Sequence, residues 1–244
     1  MKRDAKYILF PNLSPYSKTD RFEDPKEDHK YLAEKFGELV DVNREIKVCD
    51  LGCGSGEFLY YLHKLFPHWR LFGFDFAKEY IDVGNNYIDS ENITLVKQDI
   101  FEVEGTYDIV TSDGVTQIFD DIEILLNKYL KLCKTDGYVV TTGRFNKYDI
   151  EVRVQYCDNS HEETKGVWRS DWCFHSQKTI IELFKHQVES LKFEDIIMDK
   201  KLKFNSSTPL RQWTFRDSEG KNIITNGTNL ILNKTLLTIK KGQD

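Results

Sequence analysis

The chain has no apolar run near the ~18–20 residues that span a bilayer. Its first apolar stretch, Tyr7 to Phe10, is four residues long and meets Pro11. A secretory signal needs about 7–15 such residues, so none is expected, and neither is membrane contact. Cysteine is scarce and odd in number: Cys49, Cys53, Cys133, Cys157 and Cys173 form no C-x-x-C pair and no Cys/His zinc spacing. Reduced thiols, no metal site and a cytoplasmic location follow as expectations. A basic excess is also lacking. Lys and Arg total 34 against 40 Asp and Glu, a net charge of −6, which disfavours a nucleic-acid partner because phosphate contacts need a basic surface. There are only five prolines, no repeat and no low-complexity linker, so the 244 residues read as one domain. Hydrophobic residues at 40% suffice for a packed core.

Residues 26–40 carry apolar side chains at helical spacing, after an arm over residues 1–28 that contains three of the prolines. Strand-like runs at 46–51, 70–74, 93–96, 107–112 and 137–142 alternate with helical stretches at 57–66, 78–87 and 122–133. Near-continuous apolar strands alternating with helices predict an α/β, Rossmann-like, doubly wound, mostly parallel sheet covered on both faces. After Gly143 the pattern breaks. Residues 144–175 and 203–228 read as irregular insertions, separated by a helix over 177–190 with Ser176 as N-cap and a strand-like run over 193–204. Asn226-Gly227, between Ile223-Ile224-Thr225 and Leu230-Ile231-Leu232, is the signal of a type I′ hairpin. A last strand is expected over 229–239.

The segment Asp50-Leu51-Gly52-Cys53-Gly54-Ser55-Gly56-Glu57 follows a strand and opens a helix. Three glycines let the backbone turn sharply and approach a ligand closely. The dinucleotide pattern would place a third glycine where Glu57 stands, next to a pyrophosphate. Two carboxylates, Asp50 and Glu57, instead suit a ligand with positive charge, an ammonium or a sulfonium.

Here the chain resembles the class I S-adenosylmethionine-dependent methyltransferases, whose first motif is D/E-x-G-x-G-x-G. The resemblance covers roughly residues 30–143 and resumes weakly over 176–240. It implies a seven-stranded sheet with an antiparallel final strand, S-adenosylmethionine as cofactor and S-adenosylhomocysteine as product. It also implies cofactor contacts at Asp50, Gly52, Cys53, Gly54 and Gly56 in the glycine turn. Asp75 would bind the ribose hydroxyls, with Phe76 beside it, and Asp99 and Ile100 the adenine. Ser112 ends the strand near the methionine part, and Tyr16 on the N-terminal arm is a candidate lid residue.

Methyl transfer is an in-line displacement, so alignment of the acceptor supplies much of the rate. An alcohol acceptor gains from a general base. Gln117 stands where similar small-molecule enzymes carry a histidine, and it cannot be one. Among six histidines the candidate base is His175, which closes the aromatic cluster Trp168 to Phe174. Arg144, Arg169 and Arg211, with Trp172, are the candidate acceptor residues, because arginine grips phosphate or carboxylate. The two insertions are expected to cap the acceptor, a small molecule with a sugar-like or phosphorylated character. A monomer or homodimer is expected. The competing classes are a non-catalytic S-adenosylmethionine-binding or scaffold protein and a methyltransferase acting on a protein.

Overall fold

The computed structural model describes residues 20–160, 162, 164–197, 201–204, 212–228 and 230–243. Tyr16 and Arg211 lie outside the described residues, as does the side chain of Arg169.

A single helical turn, α1 (Asp20–Glu23), precedes α2 (Glu27–Leu39). Then β1 (Lys47–Leu51), α3 (Glu57–Leu65), β2 (Arg70–Asp75), α4 (Lys78–Tyr87), β3 (Ile93–Lys97), β4 (Tyr107–Asp113), α5 (Ile122–Leu132) and β5 (Cys133–Gly143) alternate as the apolar runs predict. Short strands β6 (Phe145–Asn146), β7 (Val152–Cys157) and β8 (Trp168–Ser176) follow, then α6 (Gln177–Phe184) and β9 (Ser190–Asp195). The described chain ends with β10 (Trp213–Arg216), β11 (Asn222–Thr225) and β12 (Thr235–Lys240).

Seven strands share one sheet in the order β3-β2-β1-β4-β5-β12-β9. Every pair from β3 to β5 is parallel, and β12 runs antiparallel between β5 and β9. Alternate side chains divide the core into two layers. Cys49, Leu51, Val110, Val139 and Leu237 pack against α5 and α6. Val48, Ile109, Val140 and Leu236 pack against α2, α3 and α4. Parallel strands put all their carboxyl ends on one edge, and the loops that follow β1, β2, β4 and β5 gather there.

Several expectations change. Residues 203–228 are not irregular throughout, since they hold β10 and β11, and the last strand is Thr235–Lys240 where 229–239 was expected. Residues 144–175 are not irregular: β7 and β8 form an antiparallel pair, joined to the body through β6. Val152, Val154 and Tyr156 do alternate with polar residues, a period-2 pattern masked by the charged and aromatic content. The strand over 193–204 is instead Ser190–Asp195, and the helix before it stops at Phe184. Ser176 caps that helix as expected, accepting from the Thr179 N–H at 3.2 Å. Finally, Asn226-Gly227 makes no I′ hairpin. Gly227 lacks the positive φ that this turn demands. The hairpin is β10–β11, turned at Asp217–Lys221 with Gly220 at φ 80° and Asp217 Oδ1 accepting from the Glu219 and Lys221 N–H groups.

Candidate active site

At the carboxyl end of β1 the chain turns through Gly52, Gly54 and Gly56, with φ of 80°, 58° and 80°. Side chains other than glycine strain in that region. Space is short as well: a Cβ on Gly52 would lie 2.5 Å from Val115 Cγ2. The turn is tied to the next strand. Gly52 and Cys53 donate their N–H groups to the Phe74 carbonyl, and Gly54 donates to Asp75 Oδ2 at 2.9 Å. Asp75 Oδ1 accepts from the Ala77 N–H at 2.8 Å. Burial raises the Asp75 carboxyl above its ordinary range, and these backbone donors offset part of that rise.

Below the turn lies a small cavity lined by Lys26, His29, Asp50, Gly52, Cys53, Glu57, Phe58 and Asp113. Its floor is acidic. Asp50 is 2% exposed, and its Oδ1 is buried without a hydrogen-bond partner. Burial pushes its carboxyl up to about 8, and the charges of Asp113 and Asp75 add to the rise. Burial also raises Glu57.

Asp113, at the end of β4, behaves differently. Burial opposes its ionisation, but Lys234 and Lys26 outweigh that and hold it well below the usual carboxylate range. Lys234 Nζ reaches Asp113 Oδ1 at 3.0 Å and also pairs with Asp28. Lys26 Nζ stands 3.5 Å from Asp113 Oδ2, and His29 Nε2 stands 3.7 Å away. Burial, reinforced by Lys26, lowers His29 to about 4, so its imidazole is neutral at pH 7. One carboxylate thus joins α2, β4 and the residue before β12 at the site.

The sequence candidates divide between this site and its surroundings. Asp50, Gly52 and Cys53 line the cavity, and Gly54 and Asp75 adjoin it through their shared hydrogen bond. Gly56 caps α3 in the left-handed region. Phe76 is 39% exposed just past β2. Asp99 spends its side chain on the Phe101 N–H at 2.9 Å, and Ile100 begins that short turn.

Ser112 is a correction. Its hydroxyl is fully buried between Thr141 Oγ1 at 2.6 Å and the Tyr129 hydroxyl at 3.0 Å, and so it faces the core under α5. Arg144 is a second correction. It is 1% exposed, donates to the Leu232 carbonyl and lies 4.8 Å over the Trp172 ring, so it ties the first insertion to the segment before β12 instead of presenting a free cation. Trp172 is therefore half-buried packing. His175 is a third. It is 2% exposed, with Nδ1 3.3 Å from Glu151 Oε2 and Nε2 3.2 Å from the Thr116 carbonyl. Neither nitrogen is open to an acceptor.

Lys26, His29, Asp113 and Lys234 were missed by the sequence reading. Lys26 is the residue before α2 and His29 lies in its first turn, but nothing local marks that helix start as facing Asp113. Among the described residues no group of side chains is arranged to hold a metal, and no helix is long and apolar enough to cross a membrane.

A doubly wound sheet with a glycine turn over an acidic pocket is the arrangement that the resemblance to the class I S-adenosylmethionine-dependent methyltransferases implies. The sequence comparison agrees: a family model described as a methyltransferase domain matches residues 43–189, and the chain belongs to that family. Over 176 residues it is 28% identical to a malonyl-[acyl-carrier protein] O-methyltransferase of Bacillus anthracis, covering 61% of this chain and 65% of that one. The chain spans less than two thirds of the length of such curated relatives. Its fold is similar to a methyltransferase solved with the Haloferax volcanii Trm112 methyltransferase activator, at TM-score 0.61 and 16% identity over 93% of this chain and 96% of that one. It is also similar to magnesium protoporphyrin IX methyltransferase from Synechocystis PCC 6803 with bound S-adenosylmethionine, at TM-score 0.52 and 12% identity over 88% and 80%.

Proposed function

We propose that the chain transfers the methyl group of S-adenosylmethionine to an oxygen of a small-molecule acceptor of sugar-like or phosphorylated character. The observation that carries the cofactor site is the orphaned, buried Asp50 Oδ1 beneath the glycine turn. A carboxylate held that far from water calls for a cation, and the ligand's ammonium and sulfonium supply one. The turn's glycines, Asp50 and Cys53 would hold the methionine end. Asp75 and Phe76 would hold the ribose, and Asp99 and Ile100 the adenine. Asp75 already has both oxygens on backbone donors, which fixes its orientation toward an incoming diol. The bound cofactor brings an activated methyl group, and the protein's own task is alignment and exclusion of water.

The acceptor side is supported by the two insertions meeting around one cleft of about 590 Å³. Trp168, 71% exposed, and Tyr156 offer ring faces there, and Gln155, Asn159, Ser160 and Thr228 offer amides and hydroxyls. Rings beside amides and hydroxyls, with the Asp158 carboxylate also in the lining, match the face and hydroxyls of a sugar. The relative from Bacillus anthracis, by its name, methylates an oxygen, which favours oxygen over nitrogen here. Both His175 nitrogens are occupied and His29 is lowered to about 4, so neither of these histidines is placed as a strong base, whereas Asp50, pushed up to about 8, lines the cavity.

The test is transfer of labelled methyl from S-adenosylmethionine to a panel of sugar phosphates, nucleotide sugars, carboxylate thioesters and cell protein. Label entering a sugar or phosphorylated compound, with quenching of Trp168 fluorescence on its binding, supports the acceptor proposal. Label confined to protein, or to thioesters, overturns it while leaving the enzyme class intact.

A further inference from the structure

We propose that Lys26 is the counter-charge for the α-carboxylate of the cofactor, so that Lys26 and Asp50 together make a subsite for an amino-acid zwitterion. This role presumes the cofactor site proposed above, where Asp50 answers the ammonium. An α-amino acid carries its ammonium and its carboxylate on one carbon, so a pocket that takes the first must also receive the second. Among the described residues that line the cavity, Lys26 brings the one ammonium, since burial keeps His29 neutral. The Lys26 side chain is 26% exposed, so it is neither sealed in the core nor loose in water. Lys26 stands just before α2 and does not cap that helix with its side chain, and His29 lies in the first turn. A helix start favours negative charge beside it.

Two polar atoms on residues of the cavity wall call for partners. Asp50 Oδ1 and His29 Nδ1 are both buried without a hydrogen bond, on residues only 2% and 3% exposed. A zwitterion offers donors and acceptors together, so it can serve a carboxylate oxygen and an imidazole nitrogen whether that nitrogen donates or accepts. The acids nearby do not bar a carboxylate. Asp113 already has Lys234 Nζ at 3.0 Å and the Thr142 hydroxyl at 2.5 Å, so it keeps partners when Lys26, 3.5 Å away, is shared with a ligand. Asp28 is paired with Lys234 as well. Glu57 takes the Ser55 hydroxyl at 3.5 Å, and burial raises it against ionisation. The ammoniums of Lys26 and Lys234 thus answer Asp28 and Asp113. The cofactor's ammonium and sulfonium in turn answer its own carboxylate and an ionised Asp50.

The test is calorimetric titration of the full chain with two ligands and needs no acceptor. One is S-adenosylhomocysteine; the other is its decarboxylated analogue, which keeps the ammonium, the thioether and the nucleoside. Wild type should bind S-adenosylhomocysteine at least tenfold more tightly, the scale of a charge-assisted hydrogen bond. In Lys26→Met the two affinities should part in direction. S-adenosylhomocysteine should weaken tenfold or more, while the analogue holds or tightens, because its ammonium no longer meets a like charge. Lys26→Arg keeps the cation and should retain most of the preference. Equal wild-type affinities for the two ligands overturn the proposal with no variant needed. A Lys26→Met protein that loses both ligands alike also overturns it, since a lysine that only steadies Asp113 would act on both. Wild type that binds neither ligand overturns the cofactor reading itself, and this role with it.

Discussion

Replacing Asp50 by Asn should move stability and cofactor affinity in opposite directions. The folded protein holds this carboxyl at about 8 against an ordinary 3.8. At pH 7 the folded form is mostly protonated and the unfolded form ionised, a difference that costs the fold about 4 kcal/mol. Asparagine removes the ionisation and leaves an amide of nearly the same shape. Its extra N–H groups need partners, so a gain of about 2–3 kcal/mol is expected, or a Tm rise of roughly 5–10 °C. The sign with pH follows from the direction of the shift. A raised carboxyl favours the fold fully below about 4, and that contribution is lost as pH rises toward 8. The wild type minus Asp50→Asn difference in stability should therefore widen across this window, with the contributions of other groups cancelling. Affinity for S-adenosylhomocysteine should fall roughly 10- to 100-fold, from loss of a charged hydrogen bond of about 1.5–3 kcal/mol. Urea unfolding across pH and calorimetric titration of both proteins read these numbers. A variant that is less stable than wild type at pH 7, with unaltered S-adenosylhomocysteine affinity, would refute the placement of Asp50 as a strained, ligand-seeking acid.

Three further outcomes are expected. Lys234→Met leaves Asp113 and Asp28 without their buried cation and should destabilise by about 3–5 kcal/mol in urea unfolding; a loss below about 1 kcal/mol would mean the cluster is not a buried ion network. Gly84→Ala places a Cβ 2.3 Å from the Ser55 carbonyl oxygen, a backbone atom of the glycine turn that cannot swing aside. It should cost about 1–3 kcal/mol and weaken cofactor binding, and a neutral effect would contradict the packing of α4 on that turn. His29, lowered to about 4, should show ring-proton shifts that stay flat as pH falls through its ordinary 6.5; its contribution to stability, present above 6.5, should be lost as pH falls toward 4. An inflection near 6.5 would place His29 in water.

The sheet was readable because its strands are continuous apolar runs and their helices carry one apolar face. β2, for example, is Arg70–Asp75 where the residues suggest 70–74. The glycine turn was readable because positive φ is a demand that few residue types meet. The insertions were not. β7 and β8 hold Arg153, Gln155 and several aromatics, and polar strands outside a buried sheet lack the contrast that reveals a period. Asn226-Gly227 misled because the Asn226 side chain makes a different local turn: it is fully buried and its Oδ1 accepts from the Thr228 N–H two residues on. The site was half readable. Asp50 and Asp75 belong to the local motif, but Asp113 joins Lys26 and Lys234 across 87 and 121 positions of sequence, which no local pattern reports. Arg144 and His175 were assigned by residue type, and burial decided otherwise.

The most direct measurement is calorimetric titration of the purified protein with S-adenosylmethionine, S-adenosylhomocysteine and NAD, repeated on Asp75→Ala. The account predicts micromolar binding of both adenosyl ligands, weakened in the variant, and none of NAD. A folded protein that binds neither adenosyl ligand would contradict it.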